Sequence, residues 1–372
     1  MRLTRSLVLM AGVALTLCAR RADAYPEFQF STGATRCSEC HLSPVGGGLL
    51  SDFGREEAGD TVAGAGDGRL LHGLVEPPGW LSVGGDVRVA SFAREGRGTE
   101  AAVFPMQAEL SARVAAGGFS IEATGGVLEA IRDAKPIGER IGSREHYVMY
   151  EPASQRWYVR AGRFYPAFGL RLVDHTAYVR RFTGLHSLEE PYAVGGGAHG
   201  EAWEVHAAVL TPLEVAPVVG QHGWGYAVQY ERFGDASSWG VSSKGQVDDD
   251  GREAWLGLTF KRWLEGPRVL LSAELDAGPR LIDGGAMSDT AIVRMAGYAA
   301  VNYRPGSRWG LGLAAHLFDP DVRVNGQTSS ALETSFTLFP RAHWELAATA
   351  RGELADTDHV TAFGLLQLHY FL

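Results

Sequence analysis

From Trp80 onward, apolar and polar residues alternate with a period of two. In the first run Leu81, Val83, Val87 and Val89 share one face, and Ser82, Asp86 and Arg88 share the other. The pattern recurs where Trp203, Val205, Ala207 and Val209 oppose Glu204 and His206, and where Val269, Leu271, Ala273 and Leu275 oppose Ser272, Glu274 and Asp276. It recurs again around Trp309–Leu317, with His316 on the polar face, and around Trp344–Arg351, with Glu345, Thr349 and Arg351 on it. Runs of about ten residues separated by turn residues predict β-strands with one apolar and one polar face.

A soluble sandwich also alternates in this way. Three features favour an all-β transmembrane antiparallel barrel over residues 79–372. The polar faces carry Gly, Ser, Thr and charge, as a wet lumen requires. Trp157, Trp203, Trp224, Trp255, Trp309 and Trp344 fall near strand ends, where interfacial aromatic girdles lie. The final run places Leu366, Leu368, Tyr370 and Leu372 on one face. It resembles the terminal strand of bacterial outer-membrane proteins, although Phe371 comes one place before the end and Leu372 is last. About fifteen strand-like runs fit, and closure on an even number implies about 14 to 16 strands.

Residues 164–199 break the rhythm. They are too long for a hairpin and bring Arg163, Arg171, Arg180, Arg181, His175 and His186 together with Phe164, Phe168, Leu170 and Phe182. The apolar residues favour burial, so the expectation is a loop folded into the lumen and lining a constriction. The alternative is a solvated outer loop. Asp248-Asp249-Asp250-Gly251 suits a hairpin tip better than a calcium site.

The N-terminus adds a different kind of segment. Arg2 and Arg5 precede an apolar stretch from Leu7 to Ala19, and Ala22-Asp23-Ala24 offers a small-x-small cleavage site. Residues 1–24 therefore read as a secretory signal peptide. Removing them takes away four Arg and one Asp, so a chain whose formal net charge is already −9 becomes more acidic. Acidity with scattered basic residues argues against nucleic acid as a partner. Of the three cysteines, Cys18 leaves with the signal.

Both remaining cysteines stand in Arg36-Cys37-Ser38-Glu39-Cys40-His41. Structural zinc wants about four ligands, and no second cysteine pair exists to supply them. A redox disulfide wants a thioredoxin-like setting that the flanks lack. Two thiols at this spacing, followed by histidine in an exported chain, point to one covalent haem c. The motif resembles the attachment site of c-type cytochromes. That resemblance implies thioether bonds from Cys37 and Cys40 and His41 as the proximal iron ligand. His72 is the first candidate for the sixth position, with Met106, His146 and Met149 behind it. Gly46-Gly47-Gly48 lets the backbone run close to a flat group or simply turn. Residues 25–78 form the haem segment, and they hold too few apolar side chains for a core of their own. Pro77 and Pro78 mark its end.

A haem tether joined to a pore resembles the porin-cytochrome proteins of Gram-negative bacteria. The resemblance implies an outer-membrane location, with the haem segment periplasmic or in the lumen. It also implies electron transfer at or across the membrane, with periplasmic and extracellular cytochromes as partners. One haem cannot bridge a hydrocarbon core of about 30 Å alone. The alternative is a diffusion porin for small solutes whose haem segment is a periplasmic plug. No hydrolase triad or phosphate loop suggests an enzyme.

Overall fold

The structure is a computed structural model that describes residues 28–96, 98–127, 141–186, 189–213, 223–249, 251–283, 290–354 and 360–372. The proposed signal peptide lies outside them. Sixteen antiparallel strands close a barrel. The first eight are β1 (Leu81–Glu95), β2 (Thr99–Ala116), β3 (Phe119–Val127), β4 (Ile141–Tyr150), β5 (Trp157–Arg163), β6 (Tyr192–His199), β7 (Trp203–Leu210) and β8 (Trp224–Gly234). The second eight are β9 (Ser237–Asp248), β10 (Gly251–Leu264), β11 (Val269–Ile282), β12 (Thr290–Tyr303), β13 (Trp309–Asp319), β14 (Ser329–Arg341), β15 (Trp344–Leu354) and β16 (Val360–Phe371). Each strand pairs with its chain neighbours, and β1 pairs with β16 from Asp86↔Phe371 to Glu95↔Ala362. Closure satisfies every edge, which a sheet in hydrocarbon requires.

The barrel is apolar outside and polar inside. Val87 is 50% exposed and Leu313 is 47% exposed, whereas Glu204, Glu231, Asp276 and His316 are buried. A soluble sandwich would bury the opposite faces, so this inversion decides between the two architectures. Trp157, Trp203, Trp224 and Trp309 lie on the outer face as a girdle demands. Trp255 does not. It is buried inside against Phe168 and Leu185, because its parity in β10 is that of Gly257, Thr259 and Lys261.

The two ends differ. At one, the turns span two to six residues, as at 117–118, 151–156 and 342–343. At the other, the connections include 164–191, the longest in the barrel. The irregular stretch is therefore shorter than the sequence implied, since Tyr192–His199 is β6. Three successive glycines, Gly195–Gly197, leave that strand without the side chains that would reveal alternation.

Residues 28–79 fill the short-turn end. Helix α1 (Cys37–Cys40) is one turn, α2 (Asp52–Glu57) follows, and a π-helical stretch runs over Ala58–Ala63. The Glu39 carboxylate accepts from the N–H groups of Thr35 and Arg36, at 2.6 and 3.2 Å, and so caps the first turn. Ser51 caps α2 by accepting from Gly54 N–H and also donates to the Glu39 carbonyl. Gly54 lets α2 lie on α1: a Cβ there would stand 2.1 Å from the Cys40 carbonyl oxygen. The segment completes its small core against the barrel. Phe30 packs with Trp263 and Leu270, and Val62 and Ala63 pack with Phe339.

Candidate functional site

The lumen holds two inserts. The first is the segment 28–79, fixed by its own backbone and by side chains of the short turns. Arg36 donates to Gly200 O at 2.8 Å and Arg55 to Val83 O at 2.7 Å. Arg308 N–H donates to Val62 O at 2.8 Å and Ala342 N–H to Ala65 O at 2.7 Å. The fully buried ring of His343 sets one nitrogen 2.8 Å from Phe371 O and the other 3.0 Å from both Asp67 O and Arg69 O.

The second insert is the loop 164–191, which runs inside the barrel as its apolar residues suggested. Phe164, Phe168 and Leu170 are buried, and Phe182 stacks on Phe318 at 3.8 Å. Its tip is held by the wall: Leu170 N–H donates to Glu274, Gly169 N–H to Ser242, and Gln229 to Gly169 O. A short helix α3 (Tyr178–Arg181) follows. Arg351 of β15 reaches Asp174 at 2.6 Å, Glu333 at 2.5 Å and Thr176 O at 3.2 Å. Burial alone would raise the Asp174 carboxyl, but Arg351 outweighs it and holds the group at about 2. Burial also pushes His175 down to about 3, with Asp174 opposing the shift.

One charge chain joins the two inserts through the wall. Gln29 accepts from Lys261 at 2.6 Å, Lys261 meets Glu231 at 2.7 Å, and Arg171 meets both Glu231 and Glu204 at 2.8 Å. Cys37 lies within the field of these same four charged groups. The sequence singled out Arg171 but not its partners. Glu204 appeared only as one polar position in an alternating strand, and Glu231 and Lys261 stand at similarly unremarked positions.

The other expected residues fall in separate places. Cys37 and Cys40 are half-buried and not joined to each other. Burial raises both thiols, Cys40 to about 12 with Cys37 adding to the shift. His41 is buried, and its backbone bridges to Leu50. His72 has left-handed backbone (φ 61°) and packs edge-on against His343 at 4.5 Å. Met149 belongs to an apolar cluster with Tyr147 and Tyr158, and His146 meets Tyr192 Oη at 2.8 Å. Among the described residues, no three His, Cys, Asp or Glu side chains converge on a point that could hold a metal ion.

Between the inserts lies a cavity of about 190 Å³. Gly46, Gly47 and Gly48 wall one side, and Arg171, His175 and Arg180 wall another. Met106 reaches it from β2. The three glycines take φ of 88°, 77° and 62°, a run that side chains would strain. A Cβ at Gly47 would meet nothing within 4 Å.

Solved structures that share this architecture include three outer-membrane proteins. The outer-membrane channel DcaP of Acinetobacter baumannii superposes with a TM-score of 0.58 at 12% identity, covering 78% of this chain and 97% of that one. The outer-membrane protein OmpT of Vibrio cholerae, in a loop L8 deletion form, gives 0.58 at 10% identity, covering 79% and 100%. OmpF of Salmonella typhi, solved with daunomycin, gives 0.60 at 9% identity, covering 78% and 97%.

The fold is that of the outer-membrane porins.

The shared portion is about the share of the chain that the barrel occupies. No protein-family model matches the sequence, and no curated protein does. At these identities the likeness carries the fold alone.

Proposed function

We propose that the chain is an outer-membrane channel for small solutes, narrowed by the loop 164–191 and plugged at its periplasmic mouth by residues 28–79. The closed barrel with an apolar exterior and a charged lumen carries this reading, because only a bilayer outside and water inside stabilise that arrangement. Short turns are periplasmic in such barrels, and this supports a plug on the periplasmic side. The porin likeness favours this reading over electron transfer. Purified full-length chain added to a planar bilayer should give small ohmic steps. Bilayers that stay silent across a wide voltage range would refute it.

The CxxCH turn favours a second property of the plug. Cys37 and Cys40 would hold a haem c covalently, and His41 would ligate its iron. Bound there, the group supplies one-electron exchange with periplasmic cytochromes and, through them, with partners outside. The residues fit it in two respects: the thiols are unjoined on one helical turn, and a backbone cradle of three glycines lies in the same plug. The fit is incomplete at the sixth position, since His72 faces His343. Met106 is the candidate that shares the cavity with the glycines. A haem-stained denaturing gel of the outer-membrane fraction tests this property. Stain that persists after boiling in detergent supports it, and its absence leaves a plug without haem.

A further inference from the structure

We propose that the strap from Leu71 to Trp80, which carries the chain from the plug to the first strand, is a lipid anchor that seats Leu74 and Val75 among the phospholipids at the periplasmic rim. The anchor rests on the reading that puts the plug at the periplasmic mouth. It gives that plug the bilayer as a second support beside the barrel.

The strap leaves the plug over the β14–β15 turn. There Ala342 N–H donates to Ala65 O at 2.7 Å, and His343 lies 3.0 Å from the carbonyls of Asp67 and Arg69. It joins the wall at the head of β1, where Leu81 N–H donates to Pro78 O and Ala115 N–H of β2 donates to Trp80 O, both at 2.8 Å. Between β14 and β1 stand β15 and β16. At about 4.8 Å per strand the crossing is about 15 Å. Residues 70–80 can reach about 36 Å. The strap is therefore longer than its crossing needs, and Leu74, near its middle, is 84% exposed.

What the extra length presents is apolar. Leu70 is buried, but Leu71 and His72 both take left-handed backbone, at φ 50° and 61°, and the chain after them is exposed. Two such residues in succession are strained unless their surroundings hold them. His72 is held edge-on against His343 at 4.5 Å. Leu71, Val75 and Trp80 are exposed along with Leu74. Glu76 is the only Asp, Glu, Lys or Arg from 70 to 80. Contiguous exposed apolar surface of this kind marks a contact with a membrane or a protein.

Continuity selects the membrane. At the same end of the barrel Phe119, Trp157, Trp203 and Trp309 are exposed on strand ends, and Trp344 packs on Tyr370 at 4.7 Å where the strap crosses. Aromatic residues in such a belt sit at headgroup depth. Trp80 brings the strap directly to the strand whose outer face meets lipid. With one acid and no Lys or Arg, the strap enters the interface by apolar area and needs no anionic headgroup.

An environment-sensitive fluorescent amino acid in place of Leu74, and in a second protein in place of Thr61, tests this in the full-length chain reconstituted into phosphatidylcholine vesicles. Thr61 is exposed on the plug away from the strap. Heat-shifted gel mobility checks that each labelled protein forms the barrel. Phosphatidylcholine brominated near the headgroup end of its chains should quench position 74 about twofold or more beyond position 61. Equal quenching at the two positions overturns the anchor. So does a probe at 74 that bromine leaves bright and aqueous iodide cannot reach, because a second copy of the chain would then cover the strap. Selective quenching at 74, in a chain whose conductance is unchanged by removing residues 28–79, would refute the plug and keep the anchor. Equal quenching, in a chain whose conductance rises on that removal, would do the reverse.

Discussion

The two inserts in the lumen are held by different chemistry. The plug is fastened by directional bonds to backbone carbonyls at the short turns and by small apolar contacts with Phe339, Trp263 and Leu270. The loop is fastened partway up the wall by carboxylates and guanidinium groups, with Arg351–Asp174 and Arg171–Glu204 as its main pairs. Carbonyl anchors do not titrate, so among these plug fastenings only the His343 imidazole responds to pH. Ionic anchors are strong only while each partner keeps its charge and its burial. The comparison says that the loop is the part that conditions can move and the plug is the part that stays.

Breaking one ionic anchor should have the largest effect. R351A leaves Glu333 buried without its partner and releases Asp174, at about 3 kcal/mol, since Asp174 keeps some solvent. Urea unfolding and protease access within 170–182 should report it, with the plug unchanged. Next comes the mirror experiment at the plug. H343A removes the ring that fills the space between the carbonyls of Asp67, Arg69 and Phe371 and the single N–H it offers them, at about 1–3 kcal/mol. Hydrogen exchange should rise over residues 61–73 and stay constant over the loop.

Acidification should separate the inserts without any mutation. Seated in the loop, His175 resists its proton down to about 3, first because of burial. A released loop would take that proton at about 6.5. The depressed value means stability present above about 6.5 and lost as pH falls toward 3, and Asp174 extends the loss toward about 2. Loop proteolysis should therefore increase between pH 7 and pH 4, while plug exchange should rise only around residues 67–69, where His343, held below its ordinary value by burial, meets the carbonyls of Asp67 and Arg69. An equal response in both regions would erase the distinction drawn here. The smallest effect concerns the thiols. In protein made without haem attachment, burial keeps Cys37 and Cys40 protonated, so alkylation at pH 8 should be slow when folded and fast in denaturant.

What could be read in the sequence follows the same division. The wall was legible because its two faces meet two solvents, and each strand declares that at period two. Strand β6 was hidden, since Gly195–Gly197 carry no side chain to alternate. Trp255 was assigned to the girdle by its residue type, although its parity with Thr259 and Lys261 already placed it inside. The loop was legible from its length and its phenylalanines. Its anchors were not, because Arg171 finds Glu231 60 positions away and Asp174 finds Arg351 177 positions away, with no periodic mark to join them. The plug's chemistry was plain in Cys37, Cys40 and His41, but its place was not. Nothing in residues 28–79 announces that Gly200, Val83 and His343 will receive them.

The central claim is that residues 28–79 occupy the mouth of a water-filled barrel. Single-channel conductance of the full-length chain, compared with a variant lacking residues 28–79 but keeping the heat-shifted mobility of a folded barrel, tests it most directly. The account predicts a several-fold larger conductance without the plug. Equal conductance in the two proteins would contradict it.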